Sequence, residues 1–155
     1  RQSTPGNHLS DYIVRQLPTL SPSTYQQPCP WDATLILEDW ILSHVLELTY
    51  TAWDLQGFAK DCGYEGAPFS WNPDRRSWLQ AELDAAFFHL YSIQRDDMDF
   101  MLESFPIVKR KDRQKFGSFQ TKARILRIYD QLAAAMQSGV AYHSDLDPPP
   151  GSSFA

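Results

Sequence analysis

The placement of proline constrains this chain more than any other feature. Its eleven prolines crowd the first 30 residues, return at Pro68 and Pro73, stand once at Pro106 and close the chain as Pro148-Pro149-Pro150. Proline lacks an amide hydrogen and clashes with the preceding turn, so regular helix is confined to the stretches between these points. Within residues 1–30, Leu9, Ile13 and Leu17 are spaced for one or two helical turns. Pro18, Pro22, Pro28 and Pro30 then impose extended chain. This segment is expected to be an irregular arm, with 17–30 lying on another surface.

From Trp31 the pattern turns helical. Asp32 is a suitable cap before Ala33, and Leu35, Ile36, Trp40, Val45, Leu48 and Trp53 recur at roughly helical spacing. The spacing predicts helix over 33–62, broken near Ser43–His44 and ended by Gly63, Gly66 and Pro68. Asn72-Pro73-Asp74 is the clearest start signal: a cap, a proline suited to the first helical position, and an acid at the positive end of the dipole. That helix should run over 73–91 and bury Trp78, Leu79, Leu83, Phe87 and Leu90. A shorter one, 95–104, opens with Asp96 and Asp97 and carries Met98, Met101, Leu102 and Phe105 until Pro106 stops it. Residues 105–119 read as a basic loop with Gly117 as its flexible point. The last helix, 119–138, should bury Ile125, Ile128 or Tyr129, Leu132 and Met136, and end at Gly139.

The expected fold is therefore all-α. It comprises an irregular Pro-rich arm (1–30), a small multi-helix domain (31–146) and an extended Pro-rich tail (147–155). The chain starts at Arg1 rather than a methionine, so a processed or excised piece is expected. No apolar run reaches the length of a membrane span, so no membrane partner is expected. The two cysteines, Cys29 and Cys62, suit a reduced, cytoplasmic protein better than a disulfide framework. His8, His44, His89 and His143 have no ligand spacing, and no metal site is expected.

Charge is unevenly distributed. Residues 105–127 hold eight basic side chains and one acid, while the chain as a whole carries −5. The global balance argues against a general nucleic-acid binder, yet it leaves one basic contact surface. That surface would comprise Lys109, Arg110, Lys111, Arg113 and Lys115 with Lys122 and Arg124 on the following helix. About five neutralised phosphates would give a log–log salt slope of about −4 to −5. Discrimination between sequences needs side chains on base edges, and the sequence alone identifies none. Arg127 is expected to face elsewhere and pair with an acid such as Asp130.

Other constellations carry less. Asp96, Asp97 and Asp99 read as a solvated first turn. Glu82 or Asp84, flanked by apolar residues, is placed to form a buried pair with an arginine. Asp147-Pro148-Pro149-Pro150 superficially matches the Pro-Pro-aromatic motif of DNA amino-methyltransferases. Pro150 stands in the aromatic position and cannot stack on a flipped base, and no glycine-rich cofactor loop precedes it.

The stretch from Cys29 to Pro150 resembles the C-terminal region of large adenine-specific DNA methyltransferases of restriction-modification and phage-defence systems. The residues carrying the likeness are WDATLILEDWILSHVLELTYTAWDLQGFAKDCGY and ELDAAFFHLYSIQRDDMDFMLESFPIVKRKDRQKFGSFQTKARILRIYD, together with the tail up to DPPP. The blocks Ala85–Tyr91 and Phe105–Asp112 look most specific. The resemblance implies a parent protein that binds S-adenosylmethionine and methylates adenine in duplex DNA. It transfers no catalytic residue and no cofactor to this chain. It implies either assistance in DNA engagement, or docking on the parent's catalytic and recognition domains or on a defence-system subunit.

Overall fold

The computed structural model describes residues 15–152. The helical turns expected around Leu9 and Ile13 lie outside that range. Among these residues there are seven α-helices: α1 (Pro22–Tyr25), α2 (Leu37–Thr49), α3 (Gln56–Asp61), α4 (Pro73–Leu90), α5 (Arg95–Glu103), α6 (Pro106–Phe116) and α7 (Gln120–Ser138). Before α2 lies a small antiparallel hairpin, β1 (Pro28–Cys29) and β2 (Asp32–Ile36). The fold is thus mostly helical, but not purely so.

Helix α4 is central, flanked by α2 and, more extensively, by α7. It begins where the sequence signal placed it. The Asn72 side chain accepts the Arg75 amide at 3.0 Å, and Pro73 occupies the first turn. Ala81, Ala85 and Ala86 are fully buried, and their small side chains let neighbouring helices approach α4 closely. Trp78, Leu83, Phe87 and Leu90 are only half-buried and border the core from its edge. The α7 side of the core is Ile125, Ile128, Tyr129 and Leu132, and α5 adds Met98 and Leu102. The arm and hairpin add Cys29 and Trp31, so the segment around β1 belongs to the core. A smaller cluster of Leu46, Tyr50, Ala59 and Phe69 lies beside α3.

Several expectations are corrected. Residues 105–119 are not a loop: Pro106 opens α6 instead of merely ending α5, since proline fits a first turn as well as it blocks an interior one. Asp32 caps no helix. Its carboxylate accepts the Thr34 amide at 3.0 Å and hydroxyl at 2.6 Å, a local side-chain–backbone arrangement that competes with helix. The 33–62 helix breaks near Tyr50–Ala52 and not at Ser43–His44, where the Ser43 hydroxyl bonds the Trp40 carbonyl of the preceding turn at 2.7 Å and so stays within the helix. Leu35, Trp53, Met101, Phe105 and Met136 are exposed. On α5, Met98 and Leu102, one turn apart, face α7 and turn Met101 outward. The tail through Ser152 is not free of the domain: it folds back over α2 and α4.

Cys29 and Cys62 are unbonded thiols. No helix among the described residues is long and apolar enough to cross a membrane.

Candidate nucleic-acid interface

Charged side chains gather in two places, and their surroundings differ. The first lies between α2 and α4. His44 and Glu47 are three positions apart on α2; Arg75 and Glu82 are seven apart on α4. Both spacings keep a pair on one helix face. The faces meet as two crossed ion pairs. His44 Nε2 bonds Glu82 at 2.8 Å, and Arg75 grips Glu47 with Nε and with Nη2, the latter at 2.9 Å. All four residues are buried. His44 Nδ1 also lies 2.8 Å from the Trp40 carbonyl. A carbonyl can only accept, so Nδ1 is the donor in that contact.

The C-terminal segment completes this layer. Tyr142 and Ser144 donate hydroxyls to Glu82 at 2.8 and 2.5 Å. Burial, reinforced by Glu82, pushes the Tyr142 phenol above its ordinary range. The Gly151 amide donates to Glu47 at 3.3 Å, and Arg75 reaches the Pro149 carbonyl at 3.4 Å. Glu82 thus pairs with a histidine rather than the expected arginine, while Asp84 is exposed. A half-open cleft of about 250 Å³ lined by Trp40, Ser43, His44, Tyr142 and His143 borders the layer. The buried side chains of the layer bond one another and the C-terminal segment, which suits a structural role.

The second place is the corner of α5, α6 and the start of α7, where all seven cations proposed for DNA contact lie. They divide into two sets. Lys109 bonds Glu103, and Lys122 bonds Asp99 at 2.8 Å and Glu103 at 2.7 Å. The Lys109 and then the Lys122 bond hold the Glu103 carboxylate down at about 2. Lys122 is raised in turn, chiefly by Asp99 and then by Glu103. Arg124 bonds the Ser77 hydroxyl and stacks over Trp78, 4.1 Å from the ring centroid. Arg127 pairs with Asp145 and not with Asp130, which is taken by Arg95.

The other set is Arg110, Lys111, Arg113 and Lys115. All four are exposed, and none forms an ion pair among the described residues. They stand out because α6 is barely embedded: Asp112 is its one buried residue. Asp112 turns inward to accept the Thr121 amide at 2.6 Å, capping α7 from the neighbouring helix. The lone acid of the basic stretch is therefore the anchor that orients it. No sequence motif announces such a cap, since donor and acceptor sit on different helices.

Among the described residues, no group of histidine, cysteine and acidic side chains is arranged to hold a metal.

No family model matches the chain, and no curated protein or solved structure matches it either. The likeness to adenine-specific DNA methyltransferases accordingly rests on the residues of the sequence alone.

Proposed function

We propose that this chain is the non-catalytic helical C-terminal domain of an adenine-specific DNA methyltransferase of a restriction-modification or phage-defence system, and that it assists DNA engagement through α6. The parent enzyme would carry the S-adenosylmethionine site. The observation that supports DNA contact is the exposure of four cations on one weakly embedded helix, with no acid drawn in to neutralise them. Cations that form no internal ion pair suit phosphate contact, since none has to be broken on binding. The contact set narrows accordingly, because Lys122 and Arg124 are already engaged within the fold.

The test is duplex binding by the 155-residue chain across a salt series. Four phosphates neutralised should give a log–log slope of about −3.6, with affinity in the micromolar range or weaker. Replacing Arg110, Lys111, Arg113 and Lys115 together by alanine should flatten the slope and leave helicity intact. An unchanged slope in that variant removes the DNA reading.

One observation favours docking as a second reading. Phe100, Met101, Phe105, Ile107, Val108 and Phe116 are six of the fifteen exposed large apolar residues among the described residues, and they fall within 17 positions. Such a concentration suits a surface that packs on the parent's catalytic or recognition domain or on a partner subunit. Under that reading Phe100→Ser, at a side chain 78% exposed, costs partner binding and leaves duplex affinity unchanged.

A further inference from the structure

Arg110, Gln114 and Ile107 share the outward face of α6, and the remaining cations flank that face on both sides. A helix advances about 100° per residue. Taking Asp112 as the inward direction, Arg110 and Gln114 each lie about 160° away and Ile107 about 140° away. Lys109 and Arg113 fall on one shoulder of this face; Lys111 and Lys115 fall on the other. Ile107 is 59% exposed amid these cations, which electrostatic phosphate contact by itself does not explain.

We infer that α6 enters the major groove of duplex DNA and reads base edges through Ile107, Arg110 and Gln114. This rests on the duplex-binding reading above and adds sequence discrimination to it. The groove, about 12 Å wide, admits one helix and places a phosphate backbone along each of its sides. Cations on two shoulders match two backbones; a flat phosphate-binding patch would need them on one. The central residues are chemically suited to base edges. Arginine donates twice to guanine O6 and N7, glutamine pairs with adenine N6 and N7, and an apolar side chain packs on the thymine methyl. Eleven residues of helix span about 16 Å, which corresponds to a reading frame of about four or five base pairs at 3.4 Å each. Lys109 joins its shoulder with its bond to Glu103 in place, so Arg113 is the principal phosphate contact there.

The experiment is selection of a duplex pool with a randomised centre by the full 155-residue chain, with circular dichroism confirming that each variant is folded. The wild-type chain enriches a short motif. Arg110→Ala relaxes a guanine position, and Gln114→Ala relaxes an adenine position, each by about ten-fold or more in preference. Lys111→Ala and Lys115→Ala keep the motif, weaken binding to all sequences alike and each reduce the salt slope by about 1. If the pool is bound through the α6 cations but no motif emerges, or the motif survives both Arg110→Ala and Gln114→Ala, groove reading is wrong while the DNA reading stands. If no duplex binding depends on α6, both fall together.

Discussion

Between α2 and α4, His44, Glu47, Arg75 and Glu82 are at most 7% exposed; on α6, Arg110, Lys111, Arg113 and Lys115 all stand in solvent. The residue types overlap, yet the consequences are opposite. A buried charge is costly unless opposed, so the α2–α4 set is matched acid to base and its geometry fixes how the helices slide against one another. An exposed charge costs little and needs no internal partner, so the α6 set remains available to a ligand. Composition does not separate the two regions; solvent access and pairing do.

The sharpest way to break this contrast is to remove one buried partner. Glu82→Ala should destabilise the chain by about 3–5 kcal/mol in urea denaturation, because it removes the partner of the buried His44 Nε2 and strands two hydroxyl donors. Single alanine substitutions at the four exposed cations of α6 should each stay within about 0.5 kcal/mol. A loss at Glu82 as small as those on α6 would mean that the buried pairs hold nothing together.

Asp112 tests the boundary between the regions, since it lies on α6 but behaves like a buried group. Asp112→Ala removes the acceptor for the Thr121 amide and should cost about 0.5–2 kcal/mol, the range of a lost helix cap. Amide exchange should quicken first at the start of α7. Faster exchange confined to α6 would show that the cap matters only to its own helix.

The smallest expected effect concerns Glu103. Its carboxylate is depressed from 4.5 to about 2 by Lys109 and Lys122. A depressed carboxylate contributes stability above its unfolded value and loses it as pH falls towards the folded one. The stability difference between the native chain and Glu103→Gln should therefore be full above about pH 5 and fade between about 4.5 and 2. Raised salt should shrink it, because the network is at the surface. A difference that persists unchanged to pH 2 would contradict the pairing.

The parts of this fold legible in the sequence are those governed by neighbours along the chain. Asn72-Pro73 set the start of α4, Gly139 at φ +71° ended α7, and the 95–104 expectation came within a residue of α5. What escaped depends on contacts made across the fold. Helix α6 read as a loop because five cations mask its period, and its anchor, Asp112, bonds a residue on the next helix. The hairpin at 28–36 escaped because its strands are short and Asp32 can cap a turn as well as a helix. The candidate cations were visible as a run of charge. Their division into engaged and available sets was not, because it depends on Asp99, Glu103 and Trp78, contributed by other helices.

The strap formed by residues 142–151 also bears on the order in which the chain can settle during synthesis. A ribosome delivers His44, Glu47, Arg75 and Glu82 well before Tyr142, Ser144 and Gly151. Until those last groups emerge, Glu82 lacks both hydroxyls and Glu47 lacks the Gly151 amide. Before they do, His44 and Arg75 are the side-chain partners these two acids have across the α2–α4 junction. Gly151 then seats against Ser43, where an added Cβ would lie 2.8 Å from the serine Cβ. The final closure is thus made by a residue with no side chain to obstruct it.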